Sequence, residues 1–196
     1  MNQEWMPFII SIKTALTATV ITFLLGVCVA NKVNKMNSKH KGILDSLLTL
    51  PMVLPPTVIG FFLLVILGRN GFIGKLLYSM EINVIFSWGA TVIAAVVVSF
   101  PLMYSTAKGA FEQIDKNIIN AAKTMGVSNF KIFWKVIVPL AWPGIAAGTI
   151  LSFARALGEF GATLMIAGNI PGKTQTIPLA IYFAAEGGDI EGSLSW

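Results

Sequence analysis

Ile82-Asn-Val-Ile-Phe-Ser-Trp-Gly-Ala-Thr-Val-Ile-Ala-Ala-Val-Val-Val-Ser-Phe-Pro-Leu-Met-Tyr-Ser-Thr-Ala107 contains no charged residue. Coiled as a helix rising about 1.5 Å per residue, it outreaches the roughly 30 Å hydrocarbon layer of a bilayer. A segment that crosses lipid must be a helix or a strand of a closed barrel, and this one lacks period-two alternation, so it predicts a transmembrane helix. Composition agrees: of 196 residues 55% are hydrophobic and 12% charged, with mean hydropathy +0.76. Soluble domains carry roughly 25% charged residues. The chain has too little polar surface to meet water on every side.

Three more spans are predicted around that stretch. Residues 8–30 form the first, with Lys13 near one end, where its stem can snorkel. Residues 43–68 form the second, interrupted by Pro51, Pro55 and Pro56, each of which removes a rung of the helical ladder. The fourth starts near Pro139 or Pro143, proline being suited to a first helical turn, and runs to about residue 167. The expected fold is an all-α integral membrane bundle with four visible spans, one transmembrane domain over residues 1–196. The apolar piece 177–185 is too short to cross. An acidic, glycine-rich tail with Glu186, Asp189 and Glu191 follows it to Trp196, and a final helix is expected to be missing beyond, the alternative being a protein of four spans that ends there. No positive cluster precedes the first apolar run, which argues against a cleaved signal peptide.

Lysine placement sets the orientation. Lys32, Lys35, Lys39 and Lys41 fill the first loop, and Lys108, Lys116, Lys123, Lys131 and Lys135 the third, against Arg69, Lys75 and Lys173 elsewhere. Loops one and three are expected on the cytoplasmic side, with the N-terminus outside. The net charge of +5 reads as a topology signal, with no nucleic-acid patch. The one cysteine, Cys28, lies in an apolar run, and the one histidine, His40, among lysines. They supply no metal set, no catalytic group and no cofactor site.

The polar segment 108–138 interrupts the apolar runs and reads as two short helices. Gly126 ends the first in a left-handed conformation, and Ser128 caps the second. Ile114, Ile118 and Met125 make an apolar stripe, Ala121 and Ala122 a flat spot, and Phe130, Phe133 and Trp134 an apolar face. Such a pair suits either the lipid headgroups or a soluble partner.

This segment resembles the coupling segment of ATP-binding-cassette importer permeases, whose pattern is Glu-Ala-Ala, three residues, Gly, nine residues, Ile, any residue, Leu, Pro. Ala121, Ala122, Gly126 and Pro139 match it, Val136 and Val138 replace the aliphatics, and Asn120 stands where the pattern has Glu. The stretch from Ser152 through Met165 to Pro178, with Leu50-Pro-Met-Val-Leu-Pro-Pro56 and Leu67-Gly-Arg-Asn-Gly-Phe-Ile-Gly74, is similar to molybdate permeases, and sulfate and tungstate permeases share much of it. The resemblance implies a transport subunit without chemistry of its own. It implies a cytoplasmic ATP-binding subunit docked on Asn120, Ala121, Ala122, Gly126 and Pro139. It also implies an extracytoplasmic oxyanion-binding protein and a second permease copy in a homodimer within the cell membrane. Molybdate is the expected substrate, with tungstate or sulfate as alternatives.

Arg155 and Glu159, four apart in the fourth span, share a helix face. Charges at that depth usually face a protein interior or a watery path. With Gly158 and Gly161 they are candidates to line or gate an oxyanion path, and a purely structural lock between helices fits equally well. Gly144 and Gly148, four apart, predict close helix contact. Gly168-Asn-Ile-Pro-Gly-Lys-Thr174 has three residues between its glycines where a P-loop needs four, and reads as an exposed outer turn. An ATP-independent channel or secondary transporter is the competing class, disfavoured by the shortage of intramembrane ionisable groups.

Overall fold

The computed structural model describes residues 5–36, 38–189 and 192–193, and among them the secondary structure is helical, with no strand. The helices are α1 (Met6–Asn34), α2 (Ser38–Val53), α3 (Pro56–Leu67), α4 (Phe72–Ser79), α5 (Trp88–Glu112), α6 (Lys116–Thr124) and α7 (Asn129–Ile132). A π-helical turn (Phe133–Ile137) leads into α8 (Val138–Leu157), followed by α9 (Gly161–Ala167) and α10 (Ile177–Glu186). Three helical runs are long and apolar enough to cross a membrane: Met6–Asn34, Trp88–Glu112 and Asn129–Leu157. Glu191 and Trp196, read from sequence as parts of the terminal tail, lie outside the described residues.

Helix α5 is the hub, packed against α1 and α8 along most of its length and against α2 and α9 at its two ends. Small residues make this possible. A Cβ on Gly26 would come within 2.7 Å of Met103, one on Gly144 within 2.5 Å of Ala110, and one on Gly148 within 3.1 Å of Thr106. In a bilayer, where no hydrophobic drive separates helix from lipid, such close approach supplies the packing attraction. The spacing of Gly144 and Gly148 therefore does what the sequence predicts. At the other end of α5, Thr14 and Thr91 pair hydroxyls at 3.1 Å and the Trp88 indole N–H donates to Thr14 at 3.0 Å. Lys13 lies 4.1 Å over the Trp88 ring, a cation–π contact.

Several boundaries differ from expectation. The second predicted span is two helices, α2 and α3, meeting at 110°. Pro51 is accommodated inside α2, whereas Pro55 and Pro56 turn the chain, Pro55 taking an extended conformation and Pro56 starting α3. Residues 82–87 of the third predicted span are not helical. Glu81 and Phe86 have positive φ, and α5 begins only where the Ser87 hydroxyl accepts the Ala90 N–H. At its far end α5 continues to Glu112, so Lys108 belongs to it.

The fourth predicted span starts earlier and stops sooner. Helical structure begins at Asn129 and passes straight through Pro139. The Val138 N–H reaches back to the Phe133 carbonyl, and this wider π turn makes room at residue 135, whose carbonyl a proline four residues on would otherwise crowd. The helix ends at Leu157 rather than near 167, because the chain breaks at Gly158 before α9 restarts.

Candidate functional site

Glu159 organises the break between α8 and α9. Its side chain is 2% exposed. One oxygen, Oε1, accepts the Ala162 N–H at 2.8 Å and so satisfies one of the free donors at the start of α9. The other, Oε2, stands 2.7 Å from Nη1 of Arg155, a close ion pair not aligned as a hydrogen bond. One carboxylate thus holds the end of α8 and the start of α9 together. Gly161 begins α9 against α3, where a Cβ would lie 3.0 Å from Thr57. One turn along, a Cβ on Gly60 would sit 2.7 Å from the Ala162 backbone. Gly161 is therefore a packing residue, while Gly158 is exposed and closes α8.

The segment 108–138 is helical for most of its length. Asp115 caps α6 by accepting the Asn117 N–H at 2.8 Å. Gly126 turns the chain at φ +75 with no atom within 4 Å of a would-be Cβ, a conformation glycine adopts without cost. Ser128 caps α7 through the Lys131 N–H. Asn120, Ala121, Gly126 and Pro139 are exposed and Ala122 half-buried.

The apolar faces sort differently from the stripe expected on Ile114, Ile118 and Met125. Ile114, Ile119, Ala122 and Val127 pack on the core of the bundle. Ile118, Met125 (81% exposed), Phe130 (73%) and Trp134 point away from it. The outward set is an apolar patch on an otherwise polar segment.

Sequence reasoning missed a polar clasp between α2 and α5. Asp45 accepts from the Tyr104 hydroxyl and from the Lys108 ammonium group, and Lys41 pairs with Glu112 at 2.6 Å. The signal was present as two charge pairs, each spaced by four: Lys41 with Asp45, and Lys108 with Glu112. Their meeting depends on tertiary structure. The turn around Gly168-Asn-Ile-Pro-Gly-Lys-Thr174 is less open than expected. Thr174 is fully buried and braces it, accepting the Ile170 N–H at 3.0 Å and donating to the Gly168 carbonyl at 3.1 Å. Pro171, Gly172 and Lys173 are exposed. Among the described residues no group of His, Cys, Asp and Glu side chains is arranged to hold a metal.

Residues 22–187 match the family described as "Binding-protein-dependent transport system inner membrane component". The chain belongs to that family. It is 44% identical over 182 residues to the molybdenum transport system permease protein ModB of Escherichia coli (strain K12), covering 92% of this chain and 80% of that protein. It is 43% identical over 174 residues to ModB of Haemophilus influenzae, covering 88% and 76%. Two solved structures share the fold. A bacterial ABC transporter that imports the acidic polysaccharide alginate superposes with TM-score 0.73 at 16% identity, over 100% of this chain and 72% of that one. The MetNI methionine ABC transporter, inward facing, superposes with TM-score 0.66 at 15% identity, over 100% and 90%. The permease is accordingly an all-helical, multi-pass inner-membrane component of a transport system.

Proposed function

We propose that this permease passes molybdate inward across the cytoplasmic membrane, driven by ATP hydrolysis in a separate subunit. Identity of 44% with a molybdenum permease over 92% of the chain supports the substrate. The observation that carries the mechanism is the helix pair α6–α7, whose outward patch of Ile118, Met125, Phe130 and Trp134 is largely exposed. This pair is the docking surface for the ATP-binding subunit, with Asn120, Ala121, Ala122 and Gly126 shaping it and Pro139 just above. The side bearing it is cytoplasmic and the N-terminus is outside, in keeping with the lysine distribution. Residues 1–196 act as one transmembrane domain that includes the coupling segment 108–138.

Two copies of the chain flank a central path, and an extracytoplasmic binding protein delivers the oxyanion. ATP binding in the partner shifts the pair between inward-open and outward-open states, the two arrangements that alternating access requires. Arg155 and Glu159 stand at the α8–α9 break with Gly158 beside them. Arg155 is about one-third exposed, so its guanidinium is available to offset an oxyanion's charge. Gly161 lets α9 lie close enough to α3 to hold that break in place.

The test is uptake into sealed vesicles containing the chain, its ATP-binding subunit and its binding protein. Molybdate uptake should need all three proteins and ATP. Equal uptake without nucleotide would identify a channel or secondary transporter instead. Competition by tungstate and sulfate would rank the substrates.

A further inference from the structure

At the end of the bundle where α1 and α5 finish and α6 begins, the structure encloses a cleft of about 830 Å³. Four lysines line it, Lys35, Lys41, Lys116 and Lys123, against one acidic residue, Glu112. Glu112 is already engaged by Lys41 at 2.6 Å and lies 3.7 Å from Lys108. Lys116 and Lys123 form no ion pair among the described residues, and Lys35 meets only the face of Phe133, at 5.9 Å. The cleft therefore carries an excess of positive charge with no internal counterion.

A second feature points the same way. The amide side chains of Asn31, Asn34, Asn120 and Asn129 also line the cleft, and none makes a side-chain hydrogen bond among the described residues. Asn31 and Asn34 are half-buried on the last turn of α1, beside Lys32. Amide N–H donors without a protein partner among the described residues, beside Lys35, Lys116 and Lys123, which form no ion pair there, suit an anion with several acceptor oxygens. Lys116, Asn120 and Lys123 fall on one face of α6, turned from the outward patch by the helical repeat.

We infer that this cleft binds a phosphate group, carried by an acidic phospholipid headgroup or free in solution. Its position at the ends of two membrane-length helices puts it at headgroup level, where anionic lipid attracts lysine. Its volume holds a glycerophosphate as readily as inorganic phosphate. The site is separate from the Arg155–Glu159 break and from the patch of Ile118, Met125, Phe130 and Trp134, although it shares Asn120 with the helix pair proposed above to dock the ATP-binding subunit.

The test is lysine footprinting of the full chain in an uncharged detergent, with acetylation read residue by residue by mass spectrometry. Three probes are compared at matched ionic strength: dihexanoyl-phosphatidylglycerol, dihexanoyl-phosphatidylcholine and inorganic phosphate, with sodium chloride as blank. Lys35, Lys116 and Lys123 should be protected about threefold or more, as mass action gives at twice the dissociation constant, while Lys75 and Lys173 are unchanged. Protection by the glycerol lipid alone assigns a headgroup site, and protection by phosphate as well assigns a general phosphate site. The double variant K116Q/K123Q, which alters only exposed side chains, should lose the protection of Lys35 while eluting normally on gel filtration. No protection by either anion, equal protection by the choline lipid or the chloride blank, or equal protection of Lys173 would overturn the inference.

Discussion

Asp45 of α2 holds the ammonium group of Lys108 on α5, 63 positions along the chain, and takes the Tyr104 hydroxyl on the same carboxylate. No residue of α2 from 41 to 53 is fully buried, so this clasp and the neighbouring Lys41–Glu112 pair add to the packing of Leu48 on the core in tying α2 to the bundle. Asp45→Asn should therefore loosen α2. The pair is partly exposed, at 17% and 25%, which places the loss between that of surface and buried pairs, about 1–2 kcal/mol. Thermal unfolding in detergent measures it, and exchanging the charges (D45K with K108D) should recover part of the loss. An unchanged midpoint for D45N would show that α2 is held some other way.

Arg155 and Glu159 differ in what they leave behind when removed. Glu159→Gln keeps an oxygen for the Ala162 N–H and removes the buried charge, so its cost should be small. Glu159→Ala also removes the cap, costing about 0.5–2 kcal/mol more. Arg155→Gln should be the worst of the three, because it strands a buried carboxylate. The double variant R155Q/E159Q should regain most of the stability lost in R155Q. If that stable double variant still fails to transport molybdate, the pair serves the path; if it transports normally, the pair serves packing.

Gly126 is open on every side, so substitution there acts through the backbone alone. Gly126→Asn should keep the turn, since Asn tolerates the left-handed region. Gly126→Val should cost about 1–2 kcal/mol locally and abolish binding of the ATP-binding subunit, with membrane insertion unchanged. Co-purification of the two subunits reads this directly. Normal docking of G126V would remove the turn from the coupling role.

Two glycines make a contrasting pair. A methyl added at Gly144 meets Ala110 at 2.5 Å, whereas one at Gly109 meets nothing within 4 Å. Gly144→Ala should push α5 and α8 apart at a cost of about 1–3 kcal/mol. Gly109→Ala should be neutral or stabilising by up to about 1 kcal/mol. Unfolding midpoints of the two variants decide it.

The sequence disclosed α1 and α5 because long uncharged runs leave a chain few choices in lipid. It disclosed the turn at Gly126 and the cap at Ser128 because those residue types act locally. It misplaced the start of the last span, because Pro139 and Pro143 look like helix starts, and it showed no break within that span. The cost of Pro139 is absorbed by a π turn upstream and Pro143 is accommodated inside α8, while the true interruption, at Gly158, depends on Glu159 restarting the helix. The corner at Pro55 and Pro56 was visible as an interruption, but its angle comes from the close packing of α3 against α9 through Gly60 and Ala162. The Asp45–Lys108 clasp was invisible for the same reason: partners far apart in sequence become neighbours only after the helices have packed.

The unbroken run Asn129–Leu157 has a mechanical meaning. At about 1.5 Å per residue it is a strut of roughly 43 Å, with Phe130 near one end and Arg155 near the other. The wide turn at 133–137 changes its pitch without uncoupling it. A tilt imposed at Phe130, as the proposed docking of an ATP-binding subunit would impose it, would arrive at Arg155 as leverage, and the first joint able to absorb it is the one Glu159 clamps.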